Sequence, residues 1–400
     1  GQSIARILPV KPNDRVLSFL PLAHAMERNG GQFISVYFGI TTAYAGSLQT
    51  VAEDLRAVRP TFSRAVPRFF EKAYNRVQVT VNGYSPRKKA IFNWALETGK
   101  GYQARRQDRR AVPVGLCLKR ALANLLVYRK IKKVMGGRMR FFVSGGAPLA
   151  KEIIEFFTSL GVLVAEGYGL TETTVIASIN RMENYRFGTV GLPIPGSEIK
   201  IAADGEILIR HPGVMRGYYK DEAATREILD ADGWFYSGDI GYFTDEGFLV
   251  ISDRKKDLII TAGGKNITPQ NLENALKTHP LISQVMVYGD RRPYLVALVT
   301  LDEESLPEQA PRFDITLEPG VPHSQNQQIR RVLEDFIKEK NWAFSRAEMI
   351  KKFAILDQDF SMETGEITPT QKVKRGAIAA RYGSLLESLY QEEVEEEQLA

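Results

Sequence analysis

Glu172 is the residue around which chemistry can be built. It lies in GVLVAEGYGLTETT, residues 161–174, where an apolar run ends in Gly167-Tyr168-Gly169 and Thr171, Glu172 and Thr173 follow at once. One carboxylate among hydroxyls is the hard-oxygen setting that Mg2+ uses beside substrate phosphates. A second glycine turn, Ser144-Gly145-Gly146-Ala147-Pro148, closes an earlier apolar run. Without a Cβ, Gly145, Gly146, Gly167 and Gly169 let two loops approach a flat or phosphorylated ligand closely. Tyr168, between two glycines, is expected as an exposed ring with a polar tip, suited to stacking on a base. The same residues also fit a strand-to-helix turn in which Thr171 caps a helix.

Three further stretches carry weaker signals. Asp239 in YSGDIG follows a glycine, and its carboxylate suits a ribose diol, although Gly-Asp pairs are common in turns. TAGGKN, residues 261–266, is a glycine turn with a lysine, but its spacing is not that of a P-loop. His24 ends the apolar run FLPLAH; a lone histidine there is more often structural than catalytic. The other histidines, 211, 279 and 323, show no metal-ligand spacing, and no Ser/His/Asp set or nucleophilic cysteine setting can be read.

These turns need elements to hold them. MRFFVSGGAPLAKEIIEFFTSLGVLVAEGYGLTE reads as strand 139–143, helix 148–160 and strand 162–165, a β-α-β unit whose two glycine turns fall at the carboxyl ends of parallel strands, where open α/β sheets bind ligands. Residues 15–77 read as further strand and helix units, with Val51, Leu55 and Val58 at helical spacing and Pro60 ending that helix. Residues 85–137 are basic and mostly helical; the expected inward face carries Leu118, Leu122, Leu125, Leu126 and Ile131, and a membrane-surface helix over 118–135 is the alternative. After residue 187 short strands separated by Gly and Pro mark a small β subdomain. SDRKKD, residues 252–257, is the expected junction with a smaller α+β domain that has strands at 283–289 and 294–301, a helix near 325–340 and a last helix after 375.

Bulk properties exclude several classes. The chain has 400 residues, enough for two or three domains. Lys and Arg (53) exceed Asp and Glu (47) too diffusely to indicate nucleic acid. Cys117 is the single cysteine, so no internal disulfide forms and a reducing cytoplasm is the expected compartment, with the inner face of a membrane as a further location. No apolar run reaches membrane-spanning length, and no signal peptide is read.

In order along the chain, VSGGAP, GYGLTET, GEILIRHPGVMRGYY, DGWFYSGDIG, SDRKKD, TAGGKNI and ITPTQKVKR resemble the adenylate-forming superfamily of acyl-CoA synthetases, luciferases and peptide-synthetase adenylation domains. LSFLPLAHAMER and VPRFFEKAYNRV look like its long-chain fatty acyl-CoA synthetase branch. The resemblance implies an α/β fold: a large AMP-binding domain in residues 1–251, with parallel-rich sheets, helices and a small β subdomain, a hinge at 252–257, and a small mobile α+β domain in 258–400. It implies ATP, Mg2+, CoA and a long-chain fatty acid, with medium-chain or aryl acids as alternatives. Tyr168 and Gly169 would lie against adenine, with Gly145, Gly146, Ala147 and Pro148 as the other wall. Thr171 would contact phosphate, Glu172 would hold Mg2+, and Asp239 would bind the ribose, with Arg254 beside it. Lys372 would serve adenylation, Lys374 being the alternative; Gly263, Gly264 and Lys265 would meet CoA after rotation about Lys256. His24 would gate the acyl pocket, whose walls would include Phe33, Val36 and Phe38 unless these are plain core.

One family element is not found. Members carry a Ser/Thr/Gly-rich loop ending in Pro-Lys-Gly that wraps the β- and γ-phosphates, and these residues contain none. The expectation is that the sequence is a C-terminal portion, two-thirds or less, of a longer synthetase. A partner chain supplying the loop, or a non-catalytic protein that keeps the acyl or adenylate pocket, are the alternatives.

Overall fold

The computed structural model describes residues 1–369 and 371–397. The chain divides into two compact units, Gly1–Ile251 and Ser252–Ala400.

In the first unit, strands Phe62–Ala65, Phe141–Ser144 and Leu163–Tyr168 pair side by side in parallel, and Ser178–Ile179 and Leu192–Pro193 extend the sheet antiparallel. The first two of these strands are buried at every position, as expected where parallel strands are covered on both faces. Helix Lys151–Ser159 crosses between Phe141–Ser144 and Leu163–Tyr168 and packs Phe156 and Phe157 against Phe70, Tyr74 and Phe92. That helix starts later than its apolar pattern predicts, because Ala150 takes a non-helical conformation (φ -54°, ψ 128°), and the Leu149 N–H before it donates to the Glu166 carboxylate at 3.2 Å. Gly99 lets helix Pro86–Gln107 lie against the Lys151–Ser159 helix: a Cβ there would stand 2.1 Å from the Ser159 carbonyl. A four-stranded sheet follows, built from Glu198–Ile201, Glu206–Arg210, Phe235–Phe243 and Leu249–Arg254, the last of which runs across the boundary at Ile251 and Ser252.

The basic helical stretch differs from expectation. It runs as Val114–Ala123, a π-helical turn Asn124–Tyr128, and Arg129–Val134. Leu118, Leu122, Leu125 and Leu126 are 38–66% exposed, whereas Ala123, Val127 and Tyr128 face the core. Small Ala123 and the Tyr128 hydroxyl, which donates to the Ala95 carbonyl at 2.7 Å, let this side seat on the neighbouring helix; the leucine side does not pack inward.

In the second unit, Leu295–Leu301 pairs antiparallel with Ile282–Tyr288 and parallel with Ile350–Leu356. The period of two sorts its residues: Val285 and Val287 enter one core with Leu333, while Met286 enters another with Leu389. Helices Pro269–Leu276, Gln327–Asn341, Arg375–Arg381 and Gly383–Glu397 complete this α+β unit, with a two-stranded hairpin Ile259–Ile260 and Asn266–Ile267.

Candidate functional site

Parallel pairing sets Ser144 opposite Glu166, so both glycine turns leave the sheet at the same end. Gly145 is so close to the neighbouring strand that a Cβ would lie 3.3 Å from the Gly167 carbonyl and 3.6 Å from Met26 Sδ. Met26 is two residues beyond His24, so the His24 segment abuts the first glycine turn. His24 begins helix Ala25–Glu27, its Nδ1 accepting the Met26 N–H at 3.3 Å. Gly146, at φ +87°, takes a conformation that glycine tolerates best.

The second turn is tied more tightly. Thr171–Thr173 is a single 3-10 turn; Leu170 precedes it, and the Thr173 hydroxyl accepts the Leu170 N–H at 2.9 Å, so Thr171 does not cap a helix. Thr174 and Val175 follow at φ 52° and 84°, and a β-branched residue held there stores backbone strain. Their turn folds back onto Gly169, where a Cβ would be 1.7 Å from the Val175 carbonyl. No other residue type fits at 169 without moving this loop.

Tyr168 is not the exposed ring expected from its neighbours. It is 7% exposed, and its hydroxyl donates to Asp239 Oδ2 at 2.7 Å. Asp239 is 5% exposed on the Phe235–Phe243 strand; its amide donates to the Ser237 hydroxyl, which in turn donates to the Ile207 carbonyl at 2.6 Å. The fold thus joins two residues 71 apart in sequence into one buried phenol and carboxylate pair. Thr171 is exposed and Glu172 half-buried. The Tyr218 hydroxyl donates to Glu172 Oε1 at 3.0 Å, and Met215 N–H donates to the Glu172 carbonyl.

Two residues of this site escape a sequence reading. Tyr218 sits in a loop whose only signal is RGYY, and nothing local marks it as the Glu172 partner. Glu166 occupies an apolar strand; burial pushes its carboxyl up to about 8, with the Leu149 N–H pulling the other way. Ser144, 1% exposed, has a hydroxyl without a hydrogen-bond partner at the edge of the first glycine turn.

Phe33 and Val36, 56% and 81% exposed, are not core residues, and Phe38 is half-buried against an apolar cluster. Ala147 and Pro148 follow the first glycine turn in the first unit, whereas Arg254, Lys256, Gly263, Gly264, Lys265 and Lys372 belong to the second. Arg254 ends the Leu249–Arg254 strand, and Lys256 is exposed in the turn after it. Gly263, Gly264 and Lys265 form the exposed tip of the small hairpin, closed by Thr261 N–H to the Lys265 carbonyl at 3.1 Å. The Lys372 amide donates to the Thr368 hydroxyl at 3.0 Å, inside a tight loop before helix Arg375–Arg381.

Among the described residues no group of three or more His, Cys, Asp or Glu is arranged to hold a metal, and no helix is long and apolar enough to cross a membrane. Glu172, a single carboxylate beside a hydroxyl, suits a cation that takes its other oxygens from a phosphorylated ligand.

The sequence matches the family described as AMP-binding enzyme over residues 2–219 and the AMP-binding enzyme C-terminal domain over residues 256–394. It is 39% identical over 385 residues to the long-chain-fatty-acid–CoA ligase FadD15 of Mycobacterium bovis, covering 96% of this chain and 63% of that protein. It is 35% identical to the peroxisomal long chain acyl-CoA synthetase 6 of Arabidopsis thaliana, covering 95% of this chain and 55% of that one. Among solved structures, the A-PCP didomain of carboxylic acid reductase from Segniliparus rugosus in complex with AMP matches with a TM-score of 0.73 at 25% identity, over 98% of this chain and 50% of that one. O-succinylbenzoate coenzyme A synthetase from Bacillus subtilis, in complex with ATP and magnesium ion, shares the fold with a TM-score of 0.61 at 23% identity, over 94% of this chain and 63% of that one.

Proposed function

The chain belongs to the AMP-binding enzyme family, and on that premise we propose that it carries out the ATP-dependent activation of a long-chain fatty acid and its transfer to CoA. The observation that carries this reading is the meeting of two glycine turns, the Tyr168–Asp239 pair and Glu172 at the carboxyl ends of parallel strands. The relatives named as long-chain ligases supply the substrate class. The chain spans 63% of the length of FadD15, and the activity proposed is that of a whole protein of this family.

In the first half-reaction a carboxylate oxygen bonds to the α-phosphorus and pyrophosphate leaves. In the second, the CoA thiolate bonds to the acyl carbon and AMP leaves. No protein nucleophile is required, so the residues align and neutralise. Gly145, Gly146, Ala147, Pro148, Tyr168 and Gly169 would receive the adenine, and Asp239, held by Tyr168 and assisted by Arg254, would receive the ribose. Thr171 would donate to phosphate, and Glu172, oriented by Tyr218, would hold Mg2+, which neutralises phosphate charge when bound. Lys372 would follow the charge developing on carboxylate and phosphate oxygens. Residues 252–257 would act as the hinge about Lys256, exchanging Lys372 for the Gly263-Gly264-Lys265 tip in the second half. His24 would gate the acyl entrance. The exposed leucines of the basic helix would rest on an anionic membrane surface from which the acid is taken.

Glu172→Gln is expected to abolish Mg2+-dependent pyrophosphate release, and unchanged release would remove Glu172 from this role. A non-catalytic acyl or adenylate binder, or one half of a split enzyme, would instead bind adenylate with no turnover.

A further inference from the structure

In the second unit one cation is held by a carboxylate and a backbone carbonyl. Arg375 is the first residue of helix Arg375–Arg381, three places beyond Lys372. Its Nη2 lies 2.6 Å from Glu273 Oε2, and its Nη1 donates to the Val287 carbonyl at 3.1 Å. The other Glu273 oxygen accepts the Val287 N–H at 2.7 Å. Glu273 is on helix Pro269–Leu276 and Val287 on strand Ile282–Tyr288, so a single guanidinium joins the lysine loop to two elements.

Burial works against the Arg375 cation, but Glu273, Asp257 and Asp253 together raise its pKa above the usual value. Asp253 is 2% exposed; its Oδ1 accepts the Arg254 N–H at 2.6 Å, and its Oδ2 has no hydrogen-bond partner. Asp253 and Asp257 bracket Lys256 in sequence.

The Lys372 loop has its own internal closure. Lys374 N–H donates to the Glu366 carbonyl at 2.8 Å, Ile367 pairs with Val373, and Thr368 N–H donates to the Lys372 carbonyl at 2.9 Å. These bonds join the 366–368 side of the loop to the 372–374 side.

We propose that Arg375 is the positioning residue of the Lys372 loop, its anchor on Glu273 and the Val287 carbonyl holding that loop to helix Pro269–Leu276 and strand Ile282–Tyr288. The proposal rests on the reading of Lys372 as the adenylation lysine. Arginine suits the place because its planar fork donates in two fixed directions at once, which an ammonium on a flexible stem does not reproduce.

Hydrogen exchange on the 400-residue chain tests the anchor without any activity. Arg375→Gln is expected to speed exchange at the Lys372 and Lys374 amides by about tenfold or more while leaving strand Leu295–Leu301 unchanged. Glu273→Gln, which keeps an acceptor for the guanidinium, is expected to do the same to a smaller degree and decides the matter if Arg375→Gln does not fold. Unchanged exchange at both amides overturns the proposal. In the half-reactions, Arg375→Gln should slow adenylation by about 100-fold and thioester formation from supplied acyl-adenylate by less than about threefold, with Arg375→Lys between it and the parent. Equal loss of both steps overturns it as well. If the parent protein shows neither half-reaction, the proposed activity has failed, and the exchange rates alone decide the anchor.

Discussion

Glu166 holds a carboxyl group between the two glycine turns, with burial pushing its pKa up to about 8 from a model-peptide value of 4.5. An acid whose folded value lies above its unfolded one binds its proton more tightly when native. Its contribution to stability is therefore whole below pH 4.5 and lost as pH rises through about 8. The loss approaches about 1.4 kcal/mol per pH unit within that window. Glu166→Gln removes the titration, so the urea midpoint of the variant should fall less steeply between pH 5 and pH 8 than that of the parent; parallel curves would show that Glu166 is ionised in the fold. The identities of the residues in this site were legible as GYGLTE and SGGAP, but their states were not. Tyr168 reads as exposed because glycines flank it, yet a carboxylate 71 residues away draws its hydroxyl inward. A partner supplied by another strand leaves no mark on the local sequence.

The elements that carry the site follow from apolar pattern more directly. Val51–Val58 ends just before Pro60, and Leu295–Leu301 falls within a residue of its expected bounds, since a run buried on both faces has few alternatives. The basic helix is where periodicity misleads. Its leucines and its Ala123, Val127 and Tyr128 both recur at helical spacing, and only the neighbouring helix, through the Ala95 carbonyl, selects the second set. On the exposed set rests a prediction at this scale. Exchanging Leu118 and Leu122 for Asp should lower binding to vesicles rich in anionic lipid by about tenfold or more, while neutral vesicles bind the parent weakly. Equal binding of parent and variant would show that these leucines meet something other than a membrane.

For the molecule as a whole, the chain divides into two units between Ile251 and Ser252, and the proposed function assigns its two steps to different residues of them. Lys372→Ala should then reduce adenylation by about 100-fold or more and leave the conversion of supplied acyl-adenylate to thioester nearly intact. Equal loss of both would shift the role to Lys374. The most direct test of the account follows the carboxylate oxygen. A long-chain acid labelled with oxygen-18 in its carboxylate is incubated with the protein, ATP, Mg2+ and CoA, and the released AMP is weighed. Attack of the carboxylate on the α-phosphorus predicts one labelled oxygen in AMP. AMP formed without the label, or label in phosphate or pyrophosphate, would contradict acyl-adenylate chemistry at this site.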